Sequence, residues 1–263
     1  AVLGEAETQP GRTSQLADGG SASDKRDGQT DSQFVASRRE FATLLGLGGL
    51  VGSLSFVQIP VKTSQLTIPE EMYQTAVWMR AYANNNEWSY PDNYVFSRWG
   101  RNRLYNYFVS GESRSYAFAQ ANYGSFLRAT NGQEWFSRLQ NRTGFVVVTD
   151  AGDELAEDSL GSRLWSQNGG GDDTVSGLGH YRLVYISPET RYKVFTLVNG
   201  FTLSGTADSG TRVTVSREIE RQGRRVTYER VATANKDGQF SVRVPYEGTY
   251  QVEGAETSTI PAE

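Results

Sequence analysis

Nine aromatic residues fall between positions 94 and 123: Tyr94, Phe96, Trp99, Tyr105, Tyr107, Phe108, Tyr116, Phe118 and Tyr123. Interleaved with them are Arg98, Arg101, Arg103 and Arg114, and the asparagines Asn102, Asn106 and Asn122. A guanidinium offers a planar fork of donors to phosphate or carboxylate, and aromatic faces stack on sugars or on guanidinium groups. A surface built from both would hold an anionic lipid-linked glycan or a peptide. The same residues have a plainer use, with the aromatics filling a core and the arginines pairing with Glu112, Glu134 or backbone carbonyls. The candidate binding set is Arg98, Trp99, Gly100, Arg101, Asn102, Arg103 and Tyr105, and no catalytic residue is assigned.

The rest of the chain offers little competing chemistry. The single histidine, His180, opens a strand and reads as structural. Asp172 and Asp173 follow three glycines and suit a divalent cation, yet two adjacent carboxylates on a loop are ordinarily just solvated. Ser110 to Ser113 hold no base that would make a nucleophile. Asn141-Arg142-Thr143 is the one N-x-S/T sequon, with Asn141 an acceptor for glycosylation if this part of the chain is extracytoplasmic. With no cysteine, disulfides, thiolate metal sites and Cys nucleophiles are excluded, and one histidine excludes a multi-His metal centre. A net charge of −4, from 26 Lys+Arg against 30 Asp+Glu, rules out gripping nucleic acid by bulk electrostatics.

These residues need a scaffold, and the sequence divides into four stretches. Residues 1–37 are poor in apolar groups and read as a disordered linker. Residues 38–62 begin with Arg38-Arg39-Glu40 and run uncharged from 41 to 61, roughly 31 Å if helical, about one hydrocarbon core. This stretch reads as a transmembrane helix with its arginines inside, as a twin-arginine export signal, or as a buried helix of a soluble protein. The chain begins at Ala1 and not at Met, which reads as a fragment of something longer.

Residues 63–198 read as a small α/β domain. Helices are expected at 70–85, 115–129 and 133–140, a short strand at 94–97, and a short helix around 154–165 before a mobile acidic loop. The run Gly144-Phe145-Val146-Val147-Val148-Thr149 is the kind of strand that is buried on both faces. From Tyr181 onward strands alternate with glycine-bearing turns, and residues 199–263 read as an antiparallel β-sandwich. The whole is α+β, with a disordered tail and one apolar, transmembrane-like helix in front.

The order of these elements resembles a known family. An apolar span leads to a helix with Trp78-Met79, then Tyr94-Val95-Phe96-Ser97-Arg98-Trp99-Gly100, a helix and the GFVVVT strand, then His180 to Tyr185 and Lys193-Val194-Phe195. With the tail motifs Thr227 to Arg230, Asp237 to Phe240 and Val244-Pro245-Tyr246, this layout resembles the extracytoplasmic C-terminal part of archaeal oligosaccharyltransferases of the STT3/AglB type, over about 40–253. The resemblance implies a membrane glycosyltransferase whose membrane part carries acidic residues, a divalent cation (Mg or Mn) and the lipid-linked oligosaccharide site. No cofactor is implied for this chain itself. The family's soluble domain carries a Trp-Trp-Asp-Tyr-Gly signature that helps recognise the acceptor's Ser or Thr. The matching stretch here is Ser97 to Arg103, in which one Trp matches, the Asp is absent, and arginines surround the site. That departure implies a divergent acceptor, a related glycosyltransferase, or a paralogue without transfer activity.

The expected function is the C-terminal extracytoplasmic part of a membrane glycosyltransferase that moves a lipid-linked glycan onto protein. It would bind acceptor or lipid phosphate and would not catalyse alone. Expected partners are the membrane, a lipid-linked oligosaccharide and an acceptor protein, with no nucleic acid. The expected location is the cell membrane, with residues after about 62 outside the cytoplasm. The alternative is a non-enzymatic extracytoplasmic or envelope-anchored binding protein, exported by a twin-arginine signal or tethered by one span.

Overall fold

The computed structural model describes residues 67–262 apart from 115, 151–153, 173 and 258. The tail, the Arg38-Arg39 pair and the uncharged stretch 41–61 lie outside the described residues, and with them the disorder, membrane-span and export-signal readings. Among the described residues no helix is long and apolar enough to cross a membrane.

The described residues form one compact unit from Thr67 onward. In chain order they give α1 (Glu70–Asn85), β1 (Val95–Phe96), α2 (Trp99–Ser110), α3 (Tyr116–Arg128), α4 (Gly132–Leu139), β2 (Phe145–Val148) and α5 (Leu160–Trp165). Eight strands follow: β3 (Tyr181–Ile186), β4 (Lys193–Leu197), β5 (Phe201–Thr206), β6 (Arg212–Arg221), β7 (Arg224–Thr233), β8 (Gln239–Val244), β9 (Gly248–Glu253) and β10 (Thr259–Ala262).

The first sheet has the order β1-β2-β4-β3, with β1 and β2 parallel and the other two pairs antiparallel. Strand side chains alternate faces, so β2 serves two cores. Phe145 and Val147 join Met72, Met79, Tyr105 and Val109 of α1 and α2 on one face. Val146 and Val148 join Tyr123, Phe126, Trp135, Phe136 and Leu164 of α3, α4 and α5 on the other. All four β2 residues are buried, as the β-branched run predicts. The layer is therefore a sheet between two helical faces, as an unbroken apolar strand requires.

The C-terminal strands pair as β10-β9-β6-β7 and β5-β8, antiparallel throughout. The long β6–β7 hairpin turns on Gln222 (φ 50°) and Gly223 (φ 73°). Two consecutive positive φ angles define the tight turn whose twist matches the flanking strands. Alternating residues such as Val213, Val215, Phe240, Val242 and Val244 point inward, into the same apolar cluster that holds Tyr181, Leu183 and Phe195 of the first sheet. The seam is also polar: the Leu183 amide donates to the Tyr246 hydroxyl (3.0 Å) and the Tyr228 hydroxyl donates to Leu178 O (2.9 Å).

Three differences from the sequence expectations stand out. Residues 99–110 form a helix that the sequence reading leaves unassigned. The helix expected around 154–165 is confined to Leu160–Trp165, because Ser159 caps it by accepting from Ser162 N (3.2 Å). A last strand, β10, pairs with β9 beyond the expected final one.

Candidate functional site

The parallel pair β1–β2 sends both strands the same way, so their carboxyl ends open on one edge of the sheet. Chain leaving β1 there is Ser97-Arg98 and then α2, and chain leaving β2 is Thr149-Asp150. Crevices at the carboxyl ends of parallel strands are the usual ligand sites of α/β folds, because helix N-termini converge on them. Two cavities lie at this edge. The first, of about 410 Å³, is lined by Ser97, Arg98, Trp99, Gly100, Arg101, Tyr105, Tyr123, Val147, Thr149 and Tyr192. The second, of about 500 Å³, shares Arg98, Trp99, Tyr123 and Thr149 and continues along Gln120, Gly124, Arg128, Asp150, Glu154 and Leu155.

Two asparagines hold this edge in place. β1 is an edge strand, and the backbone of Val95 would otherwise be buried without partners. Asn106 Oδ1 accepts from Val95 N (2.8 Å), while the amides of Asn106 (2.9 Å) and Asn102 (2.7 Å) both donate to Val95 O. Asn102 and Asn106 lie four residues apart on the buried face of α2, which lets both reach the same peptide. On the other side of the sheet the Tyr123 hydroxyl donates to Val147 O (2.8 Å).

α2 begins without a capping side chain: Arg98 holds the N-cap position, no acidic residue stands in the first turn, and Arg101 N and Asn102 N bond back to Arg98 O. Its N-terminus therefore presents partial positive charge to the first cavity, next to two guanidinium groups. Trp99 is half exposed at the rim (54%) and Gly100 is exposed, with nothing within 4 Å of where a Cβ would stand. Tyr105 is buried (1% exposed), and its hydroxyl has no hydrogen-bond partner among the described residues. Burial is what pushes the Tyr105 phenol well above its ordinary value, with the nearby Tyr192 and Tyr123 adding to the rise and Arg101 opposing it.

Of the seven residues selected from sequence, Arg98, Trp99, Gly100, Arg101 and Tyr105 line the first cavity. Asn102 is fully buried and committed to β1, and Arg103 lies over the Tyr116 ring, 5.0 Å from its centroid. Neither lines the two cavities. Sequence reasoning missed Thr149 and Tyr192, which reach the cleft only because β2 and the turn before β4 end at the same edge. The plainer reading holds for much of the aromatic block, since Tyr94, Phe96, Tyr105 and Tyr123 are buried.

The other candidates take structural places. His180 is buried, its Nδ1 is 3.0 Å from Val198 O, its Nε2 is 2.6 Å from Gln133 Oε1, and its ring stacks on Phe136. Asp172 Oδ1 accepts from the Thr174 hydroxyl (2.7 Å), Thr174 N (2.7 Å) and Val175 N (3.0 Å), shaping the loop. Those hydrogen bonds hold its carboxyl below the usual range. Among the described residues no group of three or more His, Asp or Glu side chains could hold a metal ion. Asn141 is exposed in the turn after α4, whereas Thr143 of the same sequon is buried.

The fold is an α/β layer with two cavities at one sheet edge, joined to an antiparallel strand region. Residues 200–262 match the family model described as the archaeal glycosylation protein B long peripheral domain. This match and the solved structures below bear out the resemblance to the C-terminal region of archaeal AglB-type oligosaccharyltransferases. The solved structures it is similar to include the AglB oligosaccharyltransferase of Archaeoglobus fulgidus in complex with an inhibitory peptide and a dolichol-phosphate. That match has 13% identity, covers 89% of this chain and 45% of that one, and has a TM-score of 0.63. They include the same organism's oligosaccharyltransferase tethered to an acceptor peptide containing the NVT sequon, at 14% identity, 74% and 42% coverage and a TM-score of 0.56. They also include its complex with Zn and sulfate, at 13% identity, 74% and 44% coverage and a TM-score of 0.53. At such identities these likenesses establish a shared fold, and the chain spans less than half the length of each of these structures. Among curated proteins, none matches.

Proposed function

We propose that this chain is the C-terminal extracytoplasmic part of a membrane glycosyltransferase that moves a lipid-linked glycan onto protein. Its cleft at Arg98–Tyr105 would contact the acceptor or the lipid phosphate, and the chain would not catalyse transfer alone. The observation that carries this reading is the position of the cleft. It opens where β1 runs into α2, at the stretch Ser97 to Arg103 that the resemblance sets beside the family's acceptor-recognition signature, with one Trp kept and the Asp absent. The solved relatives hold an acceptor peptide in one case and an inhibitory peptide with dolichol-phosphate in another, which supports peptide and lipid-linked partners for this chain. The divalent cation that the resemblance implies belongs to the membrane part of such an enzyme, and a relative crystallised with Zn lends weak support to it. Location at the membrane, with residues after about 62 outside the cytoplasm, forms part of the same proposal.

The test is replacement of Arg98 and Arg101 by Ala in the complete protein. Both side chains are exposed, so folding is expected to be unchanged. Glycan transfer to acceptor is expected to fall at least ~10-fold, since a charge-assisted hydrogen bond is worth about 1.5–3 kcal/mol. Unchanged transfer with unchanged folding would remove the site assignment.

A further inference from the structure

We propose that a second site, apart from the cleft, binds a phosphate group, free or as a monoester, between Lys193 at the start of β4 and the tip of the β6–β7 hairpin. The cavity there, of about 380 Å³, shares no lining residue with the two cavities of the cleft. It stands independently of the acceptor reading above.

Lys193 is only 7% exposed, and a buried ammonium is costly unless a negative group offsets it. Among the described residues no ion pair reaches it. Two of its three donors go to Trp165 O and to Asn168 Oδ1 (2.7 Å), and the ammonium lies 4.9 Å from the Trp165 ring centroid. Trp165 ends α5, so the first of these bonds caps that helix. A cap needs one cation, yet two more line the same cavity. Arg224 is close enough for its charge to oppose that of Lys193, and Arg225 follows it in β7. An anion among the three relieves both the desolvation of Lys193 and the repulsion between like charges.

The polar lining of the cavity is made of donors. Besides the three cations it holds Asn168 and Thr190, and the side-chain oxygen of each already accepts a hydrogen bond. Asn168 Oδ1 accepts from Lys193, and Thr190 Oγ1 accepts from Arg224 Nη1 (2.7 Å). The Asn168 amide and the Thr190 hydroxyl remain as donors, beside unused N–H groups of Arg224 and Arg225. Ile186 and Val226 complete the wall, and no carboxylate lines it. Glu220 stands opposite Arg225 in the hairpin register but forms no ion pair with it, and Glu189 is paired with Arg191 (2.6 Å).

The backbone is bent to present this lining. Asn168 (φ 56°) and Thr190 (φ 59°) both adopt the left-handed region, which a β-branched residue such as Thr rarely enters. Conformations of this kind cost free energy and gather at ligand sites. A guanidinium fork together with a lysine point charge is the usual way a protein holds phosphate, whose charge of about −1.5 to −2 near pH 7 exceeds that of a carboxylate.

The experiment titrates the full 263-residue chain by calorimetry with inorganic phosphate, glucose 1-phosphate and acetate at equal ionic strength. Work at about pH 7 keeps Lys193 charged, since burial pushes it down only to about 8. At least one of the two phosphates is expected to bind ~10-fold or more tightly than acetate, the gain of an added charge-assisted hydrogen bond. Lys193→Met and Arg225→Gln are each expected to weaken phosphate binding about 10-fold on the same scale. Should Lys193→Met fail to fold, Arg225→Gln decides alone, because Arg225 is exposed and makes no bond to the described residues that the change could break. Tighter binding of the sugar phosphate supports the site with an esterified phosphate as its ligand, and tighter binding of inorganic phosphate supports it with the free ion. Equal binding of phosphate and acetate overturns the inference, as does phosphate affinity unchanged in a folded variant. Neither result touches the acceptor reading, which is tested at Arg98 and Arg101.

Discussion

At the scale of single residues, His180 shows how a titratable group can be consumed by packing. Burial lowers its pKa, opposed by the hydrogen bond to Val198 O and helped by Arg243 and Arg230. A histidine whose folded pKa lies below its unfolded value of about 6.5 costs stability as pH falls, because the unfolded chain takes up the proton first. Unfolding free energy is therefore expected to drop as pH falls below about 6.5. Each unit of depression is worth about 1.4 kcal/mol. In His180→Asn this part of the acid slope should vanish; urea titrations at neutral and mildly acidic pH would show it. The sequence reading of His180 as structural came from its isolation, and the fold supplies the reason, since Gln133, Phe136 and Val198 close around it. Tyr105 is the contrary case. The sequence marks it as a binding residue, but only the fold makes its hydroxyl distinctive, by burying it without a partner among the described residues.

At the scale of elements, the cleft depends on how α2 grips β1. Asn106 supplies both an acceptor and a donor to Val95, and Asn102 supplies a second donor. Asn106→Ala would leave the buried Val95 N–H without its acceptor, at a cost of about 1–3 kcal/mol. Chemical denaturation should register that loss, and binding at the cleft should weaken with it, because β1 leads directly into Arg98. A loss under ~0.5 kcal/mol would mean that the edge of β1 is satisfied in some other way. The same latch explains why α2 was invisible to pattern reading. Its buried positions are Asn102, Tyr105, Asn106 and Val109, which keep helical spacing. Half of them are amides, so the apolar stripe that normally reveals a helix is broken. Helices α1 and α3 are legible because apolar residues keep helical spacing on their buried faces, as do Met72, Ala76, Met79 and Ala83 in α1 beside the buried Glu71 and Thr75. The hairpin of β6 and β7 was legible for a local reason, since its turn sits on Gln222-Gly223.

At the scale of the whole molecule, several tyrosines are buried in the two cores on either side of β2, and alkali should expose their sum. Burial pushes Tyr94 and Tyr246 up to about 12, and Tyr105, Tyr123, Tyr181 and Tyr228 higher still. Between pH 10 and pH 12 the unfolded chain releases tyrosine protons that the folded chain keeps, so stability falls as pH rises. Lys193 acts with the opposite sign. Its ammonium donates to Trp165 O and to Asn168 Oδ1 (2.7 Å), and burial, with Arg224 nearby, pushes it down to about 8. The unfolded chain holds that proton up to about pH 10.4, so stability rises from pH 8 toward that value. A maximum near pH 9–10 is expected, followed by cooperative unfolding in which tyrosinate absorbance appears together with loss of circular dichroism. Lys193→Met should flatten the rise and leave the fall. Gradual tyrosine ionisation in a folded protein would contradict the burial on which this rests.

By itself the sequence determined the local facts: which segments are helix or strand by apolar period, where glycine permits a tight turn, and that β2 must be covered on both faces. It also placed arginine and aromatic residues together between 94 and 123. The tertiary structure decided which of them form a site. Two strands that are distant in sequence run parallel and end at one edge, bringing Thr149 and Tyr192 to Arg98 and Trp99. Asn102 and Arg103, neighbours of the site in sequence, are turned away by the pitch of α2. The physical reason is that helix and strand periods are written in adjacent residues, whereas a cleft is made by long-range pairing.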